Sequence, residues 1–129
     1  MLTGLLVAAA VMIVLSAHRT WKKIPESYAA WSAGNLVVGY LNAHTNRWPT
    51  SWDDLKDVEN AQTFLPLDQL QKLVRIDWKA DVERLMQNAR GDTNWIPHVF
   101  TRPDGERLRS AWGADTEPNG KVARYLRQR

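Results

Sequence analysis

The chain has no cysteine. That excludes disulfides, thiolate zinc sites, thiol catalysis and a lipid-modified cysteine anchor. Histidine is scarce: His18, His44 and His98 stand far apart, with no H-x-x-x-H or comparable ligand spacing. The five serines, Ser16, Ser27, Ser32, Ser51 and Ser110, lack a G-x-S-x-G context, and no glycine-rich phosphate loop occurs. Asp53, Asp54, Asp57 and Glu59 cluster, but carboxylates at a helix start suit the helix dipole and cap. These absences predict a chain that is not an enzyme and that holds no cofactor or metal.

Charge of one sign is also sparse. The net charge is +3. Residues 1–101 carry ten Lys/Arg against ten Asp/Glu, and the last 28 carry seven against four. An excess confined to the C-terminus is too weak for a nucleic-acid face, so no nucleic-acid partner is expected. It leaves open attraction to anionic lipid headgroups or an acidic partner.

What is abundant is apolar and aromatic. Leu2 to Ala17 reads LTGLLVAAAVMIVLSA without one charge. These sixteen residues rise roughly 24 Å as a helix, against roughly 30 Å of bilayer hydrocarbon. Extension through His18, Arg19 and Thr20 to Trp21 would close the gap. The reading favoured is a single-pass cell-membrane anchor over 1–21, with Leu5, Leu6, Val7, Val11, Ile13, Val14, Leu15 and Trp21 meeting membrane lipid. A cleaved signal peptide and a buried helix are the alternatives. No basic residue precedes the run, and cleavage after Ala17 would leave Leu15 at −3, which fits a signal peptide poorly. Arg19, Lys22 and Lys23 follow the run and predict a cytoplasmic domain by the positive-inside rule.

Residues 22–129 read as one soluble α+β domain of polar character; the mean hydropathy of the whole chain is −0.43. Ile24-Pro25 predicts a kink or restart. From Glu26 to His44, Ala30, Val37, Val38 and Leu41 recur at helical spacing, with Tyr28 and Trp31 nearby. Gly34 and Gly39 weaken that helix or allow close packing. Residues 45–50 are a turn, after which Ser51 is the expected N-cap, with Asp54 completing a capping pattern. Trp52, Leu55 and Val58 share a face of the short helix that follows, and Trp48 and Trp52 cover the end of the long one. Leu67 to Lys72 reads as a helical turn. Val74-Arg75-Ile76-Asp77-Trp78 alternates as a half-buried strand, with Val74, Ile76 and Trp78 inward. Asp81 to Ala89 is a helix, Trp95 to Arg102 a strand, and Pro103-Asp104-Gly105 a turn into a strand near Glu106 to Trp112. Residues 113–120 read as a loop and 121–128 as a closing helix.

The stretch Tyr40-Leu41-x-Ala43-His44-x-x-Arg47-Trp48-Pro49-Thr50-Ser51-Trp52-Asp53-Asp54-Leu55, placed after an apolar and then an amphipathic helix, resembles type IV pilin-like proteins. The likeness is greatest to the pseudopilins of type II secretion, and it covers about residues 1–58. The chain lacks the Gly-Phe-Thr-Leu-x-Glu signature of pilin precursors. The resemblance implies a transmembrane helix that continues into a long amphipathic helix packed on a small antiparallel sheet, with short extra helices. It also implies an extracytoplasmic domain, opposite to the flanking charge. The function implied is a non-enzymatic structural or interaction subunit of an envelope assembly, with protein partners. Trp48, Pro49, Ser51, Trp52, Asp54 and Leu55 would form its structural turn.

Seven tryptophans suggest the alternative, a membrane-tethered binding module using exposed aromatics. Its candidate interaction residues are Trp95, Trp112, Lys121 and Arg124, and its ligand is left open.

Overall fold

The computed structural model describes residues 2–58, 63, 65–108 and 117–129, with side chains at 4, 6–14 and from 25 onward within those ranges. Helix α1 runs unbroken from Leu2–Ala43, with Pro25 inside it. The expected restart at Pro25 does not occur, and the boundary expected at 21/22 falls within this helix. Beyond Pro25, α1 buries Ala29, Ala33, Leu36, Val37, Tyr40 and Leu41. Their three- and four-residue spacing places them on one face.

A left-handed pair ends α1. Thr45 and Asn46 have φ of 54° and 59°, and the Asn46 N–H donates to the Leu41 carbonyl at 2.8 Å, closing the helix end as a Schellman motif does. The Tyr125 hydroxyl donates to Asn46 Oδ1 at 3.0 Å. Threonine is poorly suited to a positive φ because its branched Cβ crowds the backbone. Thr45→Gly is therefore expected to stabilise the protein by about 0.5–1 kcal/mol, read as a higher urea midpoint at unchanged slope.

A 3-10 turn spans Trp52–Leu55, followed by α2 (Leu67–Leu73), β1 (Arg75–Ile76), α3 (Val82–Gly91), β2 (Phe100–Thr101) and α4 (Pro118–Arg127). The Asp81 carboxylate accepts from the Glu83 and Arg84 N–H groups and caps α3. Glu117 does the same for α4 through Asn119 and Gly120, with Pro118 at the first helical position.

The expected α+β pilin-like fold is corrected. Among the described residues the sheet has two antiparallel strands of two residues each, with Arg75 opposite Thr101 and Ile76 opposite Phe100. The long helix packs chiefly against α4 and α2, and α4 also packs against α3. The sheet stays short because its ends and one edge are already engaged. The Val74 N–H returns to the Leu70 carbonyl of α2, and after one further ladder bond, from Asp77 N–H to Val99, the Asp77 side chain turns back to the Lys79 N–H. The outer edge of β2 is occupied by Asn119 of α4. Glu106 to Leu108 is not a strand, and the remainder of that expected strand lies outside the described residues.

The transmembrane expectation is corrected as well. Among the described residues no helix is long and apolar enough to cross a membrane. The charge-free run falls about 6 Å short of the hydrocarbon thickness, and the next turns carry His18, Arg19, Lys22 and Lys23. The single-pass cell-membrane location inferred from that run falls with it.

The core lies between the second half of α1 and α4, closed at one side by Leu70, Val74, Ile76 and Phe100. Gly34 decides how closely α4 approaches. A Cβ there would stand 3.0 Å from Pro118 Cβ and 3.1 Å from Pro118 Cα. The two backbones meet because this residue has no side chain.

Candidate interaction surface

Half of α1 projects from this core as an apolar arm. Leu6 is 70% exposed, Val7 63%, Val11 52%, Met12 66%, Ile13 69% and Val14 66%. Gly4 and Ala8 to Ala10 are exposed too. Successive residues turn by about 100°, so these side chains point to every quarter of the circumference. Of the anchor residues expected from sequence, Leu6, Val7, Val11, Ile13 and Val14 lie on this arm. The side chains of Leu5, Leu15 and Trp21 lie outside the described residues.

The residues of the expected turn are brought together, though not as the capping pattern implied. Trp48, Pro49 and Leu55 are buried. The Trp48 Nε1–H donates to the Asp77 carbonyl at 2.8 Å, tying the end of α1 to the strand. Trp52 meets Trp78 edge-on, with centroids 5.4 Å apart, and both are half-buried. Ser51 occupies the N-cap position but its hydroxyl makes no capping bond. Asp54 instead reaches back, accepting from both the Thr50 N–H and hydroxyl at 2.7 Å.

The Thr50 hydroxyl first, and its N–H second, hold the Asp54 carboxyl below its ordinary value of 3.8, with His44 adding a smaller attraction. Because the folded value lies below the unfolded one, the ionised group favours folding above pH 3.8. That contribution is lost as the pH falls through the lowered value. An NMR titration should find Asp54 titrating below 3.8 and returning toward it in Thr50→Val.

The basic C-terminal side is engaged by the fold. Lys121 Nζ donates to Asn35 Oδ1 and lies 5.7 Å from the Trp31 ring centroid. Burial first, and Arg124 second, push its ammonium below the ordinary lysine range. Arg127 Nε donates to the Ala89 carbonyl at 2.8 Å. Arg129 donates to Asn42 and stacks on Tyr125. Arg124 is exposed and also has interaction partners. Trp95 is half-buried against the core, and Trp112 lies outside the described residues.

His44 stacks on Tyr40 with ring centroids 3.9 Å apart. His98 lines an open concavity of about 480 Å³ with Arg75, Asp77 and Lys79, all exposed. Asp53 pairs with Lys56 at the surface, and Glu59 lies outside the described residues. Among the described residues no group of three or more His, Asp or Glu could hold a metal ion.

The polar centre that sequence reading missed is Asn119, which is buried. Its Oδ1 accepts from the Val99 and Phe100 N–H groups, both at 2.9 Å. Its Nδ2 donates to the Phe100 carbonyl and to Glu117 Oε1. Residues 113–120 read as a loop, yet Glu117-Pro118 carried the signal: proline at the first helical position after an acidic cap.

No family model, curated protein or solved structure matches the chain, and with the long helix packed on helices rather than on a sheet, the pilin, pseudopilin and type II secretion resemblance has no support.

Proposed function

We propose that this chain is a non-enzymatic interaction protein: a small helical platform that presents the apolar arm of α1 to other apolar helices. The single observation that carries the reading is the exposure of Leu6, Val7, Val11, Met12, Ile13 and Val14 on every side of one helix. An amphipathic helix laid in a groove needs only a stripe of apolar residues. A helix apolar all round requires apolar surroundings on most of its circumference.

The magnitudes favour such an enclosure. Burying six large side chains that are now half to two-thirds exposed gains roughly 6–12 kcal/mol. Association costs roughly 4–15 kcal/mol. Contact on one side would recover only a fraction of that gain.

The test uses the full-length chain, purified without detergent and followed by sedimentation velocity. The parent is expected to associate, and Ile13→Lys to abolish that association while leaving the far-ultraviolet circular dichroism of the platform unchanged. If parent and variant sediment alike, the arm is not an interaction element and the reading is wrong.

A further inference from the structure

The arm has an internal regularity that bears on what encloses it. Gly4, Val7, Val11 and Val14 follow one another at steps of three, four and three residues, the spacing of a coiled-coil seam. Leu6, Ala10 and Ile13 repeat the spacing on a second face, and Ala8 and Met12 lie on a third. Valine, a β-branched residue, fills three of the four positions of the first seam, and glycine at the fourth lets another backbone approach closely. No charge stands anywhere from residue 2 to residue 17, so identical arms do not repel along this length.

We infer that the partner of the arm is further copies of this chain, joined arm to arm in a bundle of at least three helices; this inference rests on the interaction reading above. Area decides the minimum number. A sixteen-residue run is roughly 24 Å long and about 10 Å across, so one face offers roughly 250 Å² and the whole circumference roughly 750 Å². A stable interface buries about 800 Å² on each partner. A dimer covers one face of each arm and leaves two seams in water. Three arms let each helix bury two adjacent seams, roughly 500 Å² per helix, twice what a dimer covers, and further arms approach the standard of about 800 Å². The platforms sit at one end of the arms and need no contact with one another. Each copy supplies the same seams, so no second protein is required to complete the assembly.

The absence of cysteine makes the test clean. Sedimentation equilibrium of the full chain should give a mass at least three times 14.8 kDa. Val7→Cys, oxidised at low protein concentration, should form intermolecular disulfides, whereas Arg107→Cys on the platform should not. Ile13→Lys should return the mass to that of one chain and abolish cross-linking by the Val7→Cys thiol. A chain that stays monomeric yet binds an added amphipathic Leu/Lys helical peptide, with Ile13→Lys losing that binding, overturns self-assembly and leaves the interaction reading intact. A monomer that ignores the peptide but binds neutral phosphatidylcholine vesicles overturns both, because lipid would then enclose the arm. An assembly that persists unchanged in Ile13→Lys also overturns both.

Discussion

Asn119→Ala should lower the unfolding free energy by roughly 3–5 kcal/mol, since each buried polar group left without a partner costs roughly 1–3 kcal/mol. Truncation removes the acceptor for the Val99 and Phe100 N–H groups and the donor for the Phe100 carbonyl. Phe100 is 1% exposed, so water has little access to replace them. Small domains have only about 5–15 kcal/mol in all. The loss should appear as a fall in urea midpoint, and a fall equivalent to under about 1 kcal/mol would show that the amide is not what joins α4 to β2.

Asn119→Asp separates this network from simple packing. The carboxylate keeps both acceptors for the strand N–H groups but loses the amide donors. It also faces the Phe100 carbonyl and Glu117 Oε1, the latter 2.8 Å from the present Nδ2. The expected loss near neutral pH equals or exceeds that of alanine. The fold should raise the new carboxyl above its unfolded value, so stability should recover as the pH is lowered through that raised value. A variant equally unstable at all pH values would show that charge plays no part.

The second large effect belongs to Trp48. Trp48→Ala is expected to cost roughly 3–5 kcal/mol, the range for removing a buried aromatic. Trp48→Phe keeps most of the ring and leaves the Asp77 carbonyl without its indole donor, for roughly 1–2 kcal/mol. The ordering matters more than either value. Equal losses in the two variants would assign the whole effect to the hydrogen bond and none to packing. The Trp48 bond spans 29 positions to Asp77, so its loss should loosen the junction of α1 with β1 rather than melt one element.

Several of these features were legible in the residues themselves. The helical spacing of Val37 and Leu41 placed them correctly in the core. Asp81 announced the start of α3, and the alternation around Ile76 announced a strand. Trp48-Pro49 marked the chain reversal. Each of these is set by neighbours within a turn or two, where backbone geometry and side-chain period act directly. The apolar arm was equally plain as a run of residues, but composition does not say what surrounds it. The expected membrane crossing went beyond that run, by extending it through His18 and Arg19.

What only the tertiary structure decided is the set of contacts between distant positions. Pro25 removes one intrahelical N–H, yet α1 passes through it unbroken. The strand pattern of 74–78 was correct in kind, but the sheet stops after two residues because Leu70 and Asn119 take the hydrogen bonds that further strands would have used. Gly34 reads either as a weak point in the helix or as room for close packing, and Pro118 standing against it decides for packing. Asn119 reads as part of a loop and Lys121 as an interaction candidate, until α4 packs and they bond to Phe100 and Asn35, 19 and 86 positions away. Local sequence specifies which backbone conformations are cheap. Which buried donor meets which acceptor depends on how the helices pack, and no residue's neighbours in the chain encode that.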